Sequence, residues 1–181
     1  MNPDQYLQPV KKWLETIVVG LNLCPFAKRE LVKNRVRFQL SEATTTAALL
    51  TELKDEIIQL DENDSIETTL LIHPWVLDDF FDYNQFLDSA DRLLVELDRD
   101  GIYQIASFHP DYQFGGTEPE DVENYSNRAP YPILHLLRED SLEVAITNYK
   151  DSDLIPANNI ALLESMGVKR VQALLKNCSR S

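Results

Sequence analysis

Two residue types in this chain could do chemistry, and they are few. Histidine occurs three times, at His73, His109 and His135, and cysteine twice, at Cys24 and Cys178. Two of the histidines form His-Pro pairs, His73-Pro74 and His109-Pro110, and each closes an apolar run that reads as a strand. A proline restricts the residue before it to extended backbone and ends strand pairing. Each imidazole is therefore expected on a stiff exit from a strand. Cys24-Pro25-Phe26 repeats the device after the first helix, with Lys28 and Arg29 close behind as cations that would favour a thiolate. Thiol and imidazole together suit a nucleophile with its base, or a soft metal site.

The sequence thus nominates Cys24, His73 and His109 as catalytic residues and equally as ligands for zinc or iron, with Asp111 or His135 as a further ligand. Haem is a third expectation, because a Cys-Pro thiolate and a histidine can ligate its iron. Arg128 follows Asn127 where a helix is expected to begin, which suggests an anion seat. Arg128, Asn127 and Tyr112 are accordingly expected to bind substrate. His135 lies in the apolar run ILHLL and is expected to be a structural histidine. Cys178, in the polar tail KNCSRS, is given no role. There is no GxxxxGK, GxGxxG, GxSxG or HExxH pattern.

The elements that must position these groups follow from periodicity. Tyr6, Leu7, Val10, Trp13, Leu14, Ile17, Val18 and Leu21 form one helical stripe, predicting a helix over 3–21. RVRFQL (35–40) alternates as a half-buried strand. A helix from about Thr44 to Leu60 follows, and TTLLI (68–72) is a short buried strand. A third helix is expected over 79–99, with IYQIASF (102–108) as a third strand. The α/β core thus spans 35–109. Residues 110–127, with Gly115-Gly116 and several acids, read as a long functional loop covering the site. The remainder, 128–177, is expected to be helical, including a helix from Asn127 through Arg138.

Helical crossovers between successive strands favour parallel pairing. The expectation is a single α/β layered domain with about three mainly parallel strands flanked by helices. The alternative is an α+β ferredoxin-like sandwich. In a parallel sheet both His-Pro histidines would lie at its carboxyl edge, where open α/β sheets bind ligands.

The chain has 181 residues, 44% hydrophobic and 26% charged, with formal net charge −13. That balance fits one core-forming domain. The charge is uneven: the seven bases of residues 1–40 exceed three acids, the tail from Lys169 is wholly basic, and the middle is strongly acidic. An acidic middle repels a phosphate backbone, so nucleic acid is not expected as a partner. No run approaches the roughly 20 apolar residues of a membrane span, and MNPDQYLQPVKKW lacks the apolar segment of a secretion signal. A cytoplasmic setting with reduced thiols is expected. The functional expectation is a small metal- or thiol-dependent enzyme acting on a small anionic molecule. The alternative is a non-catalytic binding or adaptor protein.

Cys24-Pro25-Phe26-Ala27, His73-Pro74, Ser107-Phe108-His109-Pro110 with Tyr112-Gln113-Phe114, and Asn127-Arg128-Ala129-Pro130-Tyr131-Pro132 through His135, Leu137 and Arg138 form a specific set. Together they resemble the bacterial domain-of-unknown-function 1415 family over residues 9–167. The resemblance implies one domain and brings no activity with it.

Overall fold

The computed structural model describes residues 2–179; Met1, Arg180 and Ser181 lie outside it. The N-terminal stripe forms α1 (Asp4–Trp13), which continues as a π-helical segment over Leu14–Val19. A short α2 (Ala27–Val32) follows Cys24, then β1 (Val36–Leu40). Thr45 caps α3 (Thr46–Glu62), its hydroxyl accepting from the Ala48 N–H. Next come β2 (Thr68–Ile72) and α4 (Phe80–Glu96), capped by Asp79 through the Asp82 N–H. β3 (Tyr103–Phe108) leads into the long connection, which holds a 3-10 turn over Val122–Ser126. β4 (Ile133–Arg138), α5 (Glu139–Thr147), a 3-10 turn at Ser152–Leu154, α6 (Ile155–Met166) and α7 (Val168–Cys178) complete the chain.

The sheet has four strands in the order β1-β2-β4-β3. β1 and β2 are parallel, whereas β4 runs antiparallel to both of its neighbours. The helical crossovers do set β1, β2 and β3 in one direction. The expectation of about three mainly parallel strands fails at one place. Residues 133–138 form a strand, not the end of a helix, and that strand fills the gap between β2 and β3. The physical cause is local and tertiary together. Pro130 and Pro132 keep the approach extended, and the apolar run ILHLL is too short to separate helix from strand by period. Its Ile133, Leu134 and Leu136 are all buried, which only a central strand allows.

Successive β4 side chains alternate between two cores. Leu134 and Leu136 pack with Leu71 and Tyr103 against Leu49, Leu53, Tyr83, Phe86 and their neighbours on α3 and α4. Ile133 packs with Leu70 and Ile72 against Val10, Trp13, Leu14 and Ile17 of the N-terminal helix, with Cys178 of α7 beside them. Helices therefore cover both faces, giving three layers rather than the two of a sandwich. No helix among the described residues is long and apolar enough to cross a membrane.

Candidate functional site

The π-helical segment decides where Cys24 sits. At Gly20 an added Cβ would lie 2.3 Å from the Thr16 carbonyl oxygen, so only glycine fits the end of that turn. Asn22, in the left-handed region at φ 54°, then reverses the chain. The Leu23 N–H donates to the Val18 carbonyl at 2.9 Å, and Pro25 prevents the helix from resuming through Cys24. π-helical turns of this kind recur beside functional sites. The N–H groups of Phe26 and Ala27 point at the Cys24 sulfur and favour a thiolate, but burial outweighs them and raises the thiol pKa. The resting group is a thiol.

Cys24 and His135 both line one cavity of about 630 Å³. Trp13, Leu14 and Val18 of the N-terminal helix form one wall, and Leu70, Phe108 and Leu137 of the sheet form the floor. Leu142 and Ala145 of α5 close a third side. His135 lies in mid-strand, opposite Leu70 of β2 and Ala106 of β3. Its Nε2 is 2.6 Å from the Thr68 hydroxyl. That hydroxyl donates its only proton to the Leu136 carbonyl, so it accepts from His135. His135 is thereby held as the Nε2–H tautomer, and its Nδ1 keeps a lone pair on the cavity side, where no protein group occupies it. Burial lowers the imidazole pKa to about 4, so the ring is neutral at pH 7.

Two of the three arginines in the lining are ion-paired within the protein. Arg35 pairs with Glu67 and lies 3.4 Å from Glu30, and Arg29 lies 3.2 Å from the same Glu30. Arg138 spends its guanidinium on backbone carbonyls that include Leu60 at 2.6 Å and Ile66 at 3.2 Å. A largely apolar pocket with a thiol and an imidazole on its walls remains, the form expected of a small-molecule site.

Of the residues nominated from the sequence, the structure places Cys24 on this cavity and His73 and His109 elsewhere. Both histidines are fully buried on the opposite face of the sheet, around Tyr83 of α4. His73 stacks on the Tyr83 ring at 5.7 Å and its Nδ1 donates to the Val76 carbonyl at 3.0 Å. Its Nε2 is buried without a hydrogen-bond partner, and burial lowers its pKa to about 4. His109 Nε2 donates to the Leu77 carbonyl at 3.1 Å, while its Nδ1 accepts from the Asp111 N–H at 3.0 Å. Tyr83 itself donates to the Ile133 carbonyl at 2.7 Å and accepts from the Phe108 N–H at 3.1 Å. The strand-exit geometry is as expected, but the imidazoles turn inward to fasten the backbone. Cys24, His73 and His109 are not assembled into a ligand set. Among the described residues no group of three His, Cys, Asp or Glu side chains is placed to hold a metal ion.

Arg128, Asn127 and Tyr112 also lie away from the cavity. The expected helix start at Asn127 is instead the approach to β4. Arg128 donates to the carbonyls of Tyr112 (3.1 Å) and Pro119 (2.7 Å) and lies 4.4 Å from the Tyr125 ring centroid. Its own carbonyl accepts from the Trp13 indole at 2.9 Å. Asn127 Nδ2 donates to the Ser107 carbonyl at 3.1 Å. Tyr112 packs against Phe80 and Phe114. The buried Asn124 completes the knot, accepting from the Phe114 N–H and the Thr117 hydroxyl and donating to the Glu118 carbonyl. The long connection is a fastened loop, and none of residues 110–127 lines the cavity.

Sequence reasoning passed over Thr68, and offered His135 only as a further metal ligand or a structural histidine. A usable signal was present. Read with period two, Ile133, His135 and Leu137 share one face, and Thr68 stands on the matching face of a neighbouring apolar strand.

These observations define the class: a three-layer α/β domain with a thiol- and imidazole-bearing cavity between its sheet and its N-terminal helix. The family model described as a protein of unknown function, DUF1415, matches residues 5–173, and the chain belongs to that family. No curated protein and no solved structure matches it.

Proposed function

We propose that the cavity is the active site of a thiol-dependent enzyme acting on a small, uncharged, mainly apolar molecule. Cys24 is its nucleophile and His135 its base. The observation that carries this reading is the tautomer of His135: Thr68 holds the Nε2 proton and leaves the Nδ1 lone pair free on a cavity wall shared with a thiol. The largely apolar lining, with Arg29 and Arg35 already ion-paired and Arg138 bonded to backbone carbonyls, favours an uncharged substrate over an anionic one.

Acyl transfer is the reaction class that fits. The Cys24 sulfur forms a bond to the carbonyl carbon of an ester or thioester as its proton passes to His135 Nδ1. The bond to the leaving group breaks, that group takes the proton, and water then cleaves the thioester. Both protein groups rest neutral, and burial disfavours the thiolate–imidazolium pair, so the proton leaves Cys24 only as its sulfur bonds the substrate carbonyl.

With p-nitrophenyl butyrate, one nitrophenolate per chain should be released in a burst, with mass spectrometry placing the butyryl group on Cys24. Cys24→Ala should abolish the burst. His135→Gln should slow it by about 10²–10³-fold, the usual worth of a positioned base. A burst that survives Cys24→Ala, or acylation confined to Cys178, refutes the reading.

A further inference from the structure

α5 is held more loosely than the two long crossover helices. α3 buries five side chains and α4 four, but α5 buries none. Only Leu142 and Ala145, one turn apart, are half-buried within it after Glu139, and both face the cavity. Val144 and Ile146 remain 59% and 42% exposed. Beyond the helix, Asn148 turns its amide back to the helix's own Val144 carbonyl at 2.8 Å. Asp151 then adopts the left-handed region at φ 60° before the chain re-enters a packed helix. At the other end, the Glu139 N–H donates to the Ile102 carbonyl at 2.9 Å and anchors the start of α5 to the sheet edge. The segment between these two ends has little to hold it down.

A ring contact joins its far end to the rim that carries Cys24. The Tyr149 ring meets the Phe26 ring edge-on at 5.6 Å, two residues beyond the cysteine. Both residues line the cavity.

We propose that α5 is a hinged lid over the cavity, latched by the Phe26–Tyr149 contact, which must release to admit an apolar substrate to Cys24. This rests on the cavity being the site, as argued above, but does not depend on the chemistry performed there. The lid swings on Glu139 and Asp151, and its apolar inner stripe, Leu142 and Ala145, lines the cavity that a bound apolar molecule would fill. Weakly packed helices of this kind open at low free energy, which is what a gate requires.

The alkylation rate of Cys24 by iodoacetamide, followed by peptide mass spectrometry to separate it from Cys178, reads the open population directly. Tyr149→Ala should raise that rate roughly tenfold, while Tyr149→Phe, which keeps the ring contact, should match the wild type. Amide hydrogen exchange should be faster in 140–149 than in α3 or α4, and Nile red, a neutral apolar dye, should slow it there. A Tyr149→Ala rate within twofold of the wild type overturns the lid, as does protection of α5 equal to that of α3. Loss of the nitrophenyl burst with the alkylation pattern intact would overturn the acyl-transfer reading and leave the lid standing.

Discussion

His73 and His109 on one face of the sheet, and His135 on the other, show how one residue type serves two ends. On the α3 and α4 face, His109 has both nitrogens bonded to backbone and His73 has one, with Tyr83 wedged between them. A fully bonded imidazole cannot also take a proton from a substrate without releasing a backbone group. On the α1 face, His135 bonds Thr68 and lines the cavity. Burial depresses the pKa of His73 and His135 alike to about 4. Two things therefore separate the faces, and titration is neither: His109 has no nitrogen to spare, and the spare Nε2 of His73 is sealed in the core, whereas His135 lines the cavity.

Four experiments would break or sharpen that contrast. The largest effect is expected at Tyr83, the centre of the closed face. Tyr83→Ala should cost about 3–5 kcal/mol, as a buried aromatic truncation does, with about 2–4 °C of melting temperature lost per kcal/mol. A loss below about 1 kcal/mol in denaturant titration would mean the His-Pro histidines are not held by one cluster.

Acid should act next. His73 has its folded pKa lowered to about 4, against 6.5 in the unfolded chain. Below pH 6.5 the unfolded state binds the proton first, so stability present above pH 6.5 is lost as pH falls toward 4. The full effect is about 3 kcal/mol. Denaturant curves between pH 7.5 and 4 should flatten in His73→Gln. Equal slopes in variant and wild type would show that His73 is not buried as a neutral ring.

His109→Gln and His135→Gln separate the two faces more finely. Glutamine cannot keep both backbone partners of His109, and one buried group left unpaired should cost about 1–3 kcal/mol. His135→Gln leaves Thr68 still bonded to Leu136 and should cost less than about 1 kcal/mol, while slowing acylation. Reversed sizes would exchange the roles of scaffold and site. The smallest effect is local: Arg128→Ala should leave global stability within about 1 kcal/mol but make 110–120 the first site of limited proteolysis. In the wild type that loop should not be cut first.

Much of the architecture was legible. The N-terminal stripe, the strands at 36–40, 68–72 and 103–108 and the two long crossover helices all follow from period, capping residues and proline placement. These are local signals, carried within a few residues. β4 was not legible as a strand, because ILHLL satisfies a buried strand and a helix segment equally, and α2 is too short to show a period.

The site itself divides along the same line. Sequence by itself determined which side chains were available and that the His-Pro histidines must leave their strands on extended backbone. It could not determine which way they turn. That was decided when β4 inserted between β2 and β3, because the alternation of a central strand sends His135 to the α1 face and Leu134 and Leu136 to the other. The same insertion brought the Ile133 carbonyl to Tyr83 and the Thr68 hydroxyl to His135. Those partners lie 50 and 67 residues apart along the chain, a separation over which no local pattern carries information, and only the packed sheet brings them within hydrogen-bond reach.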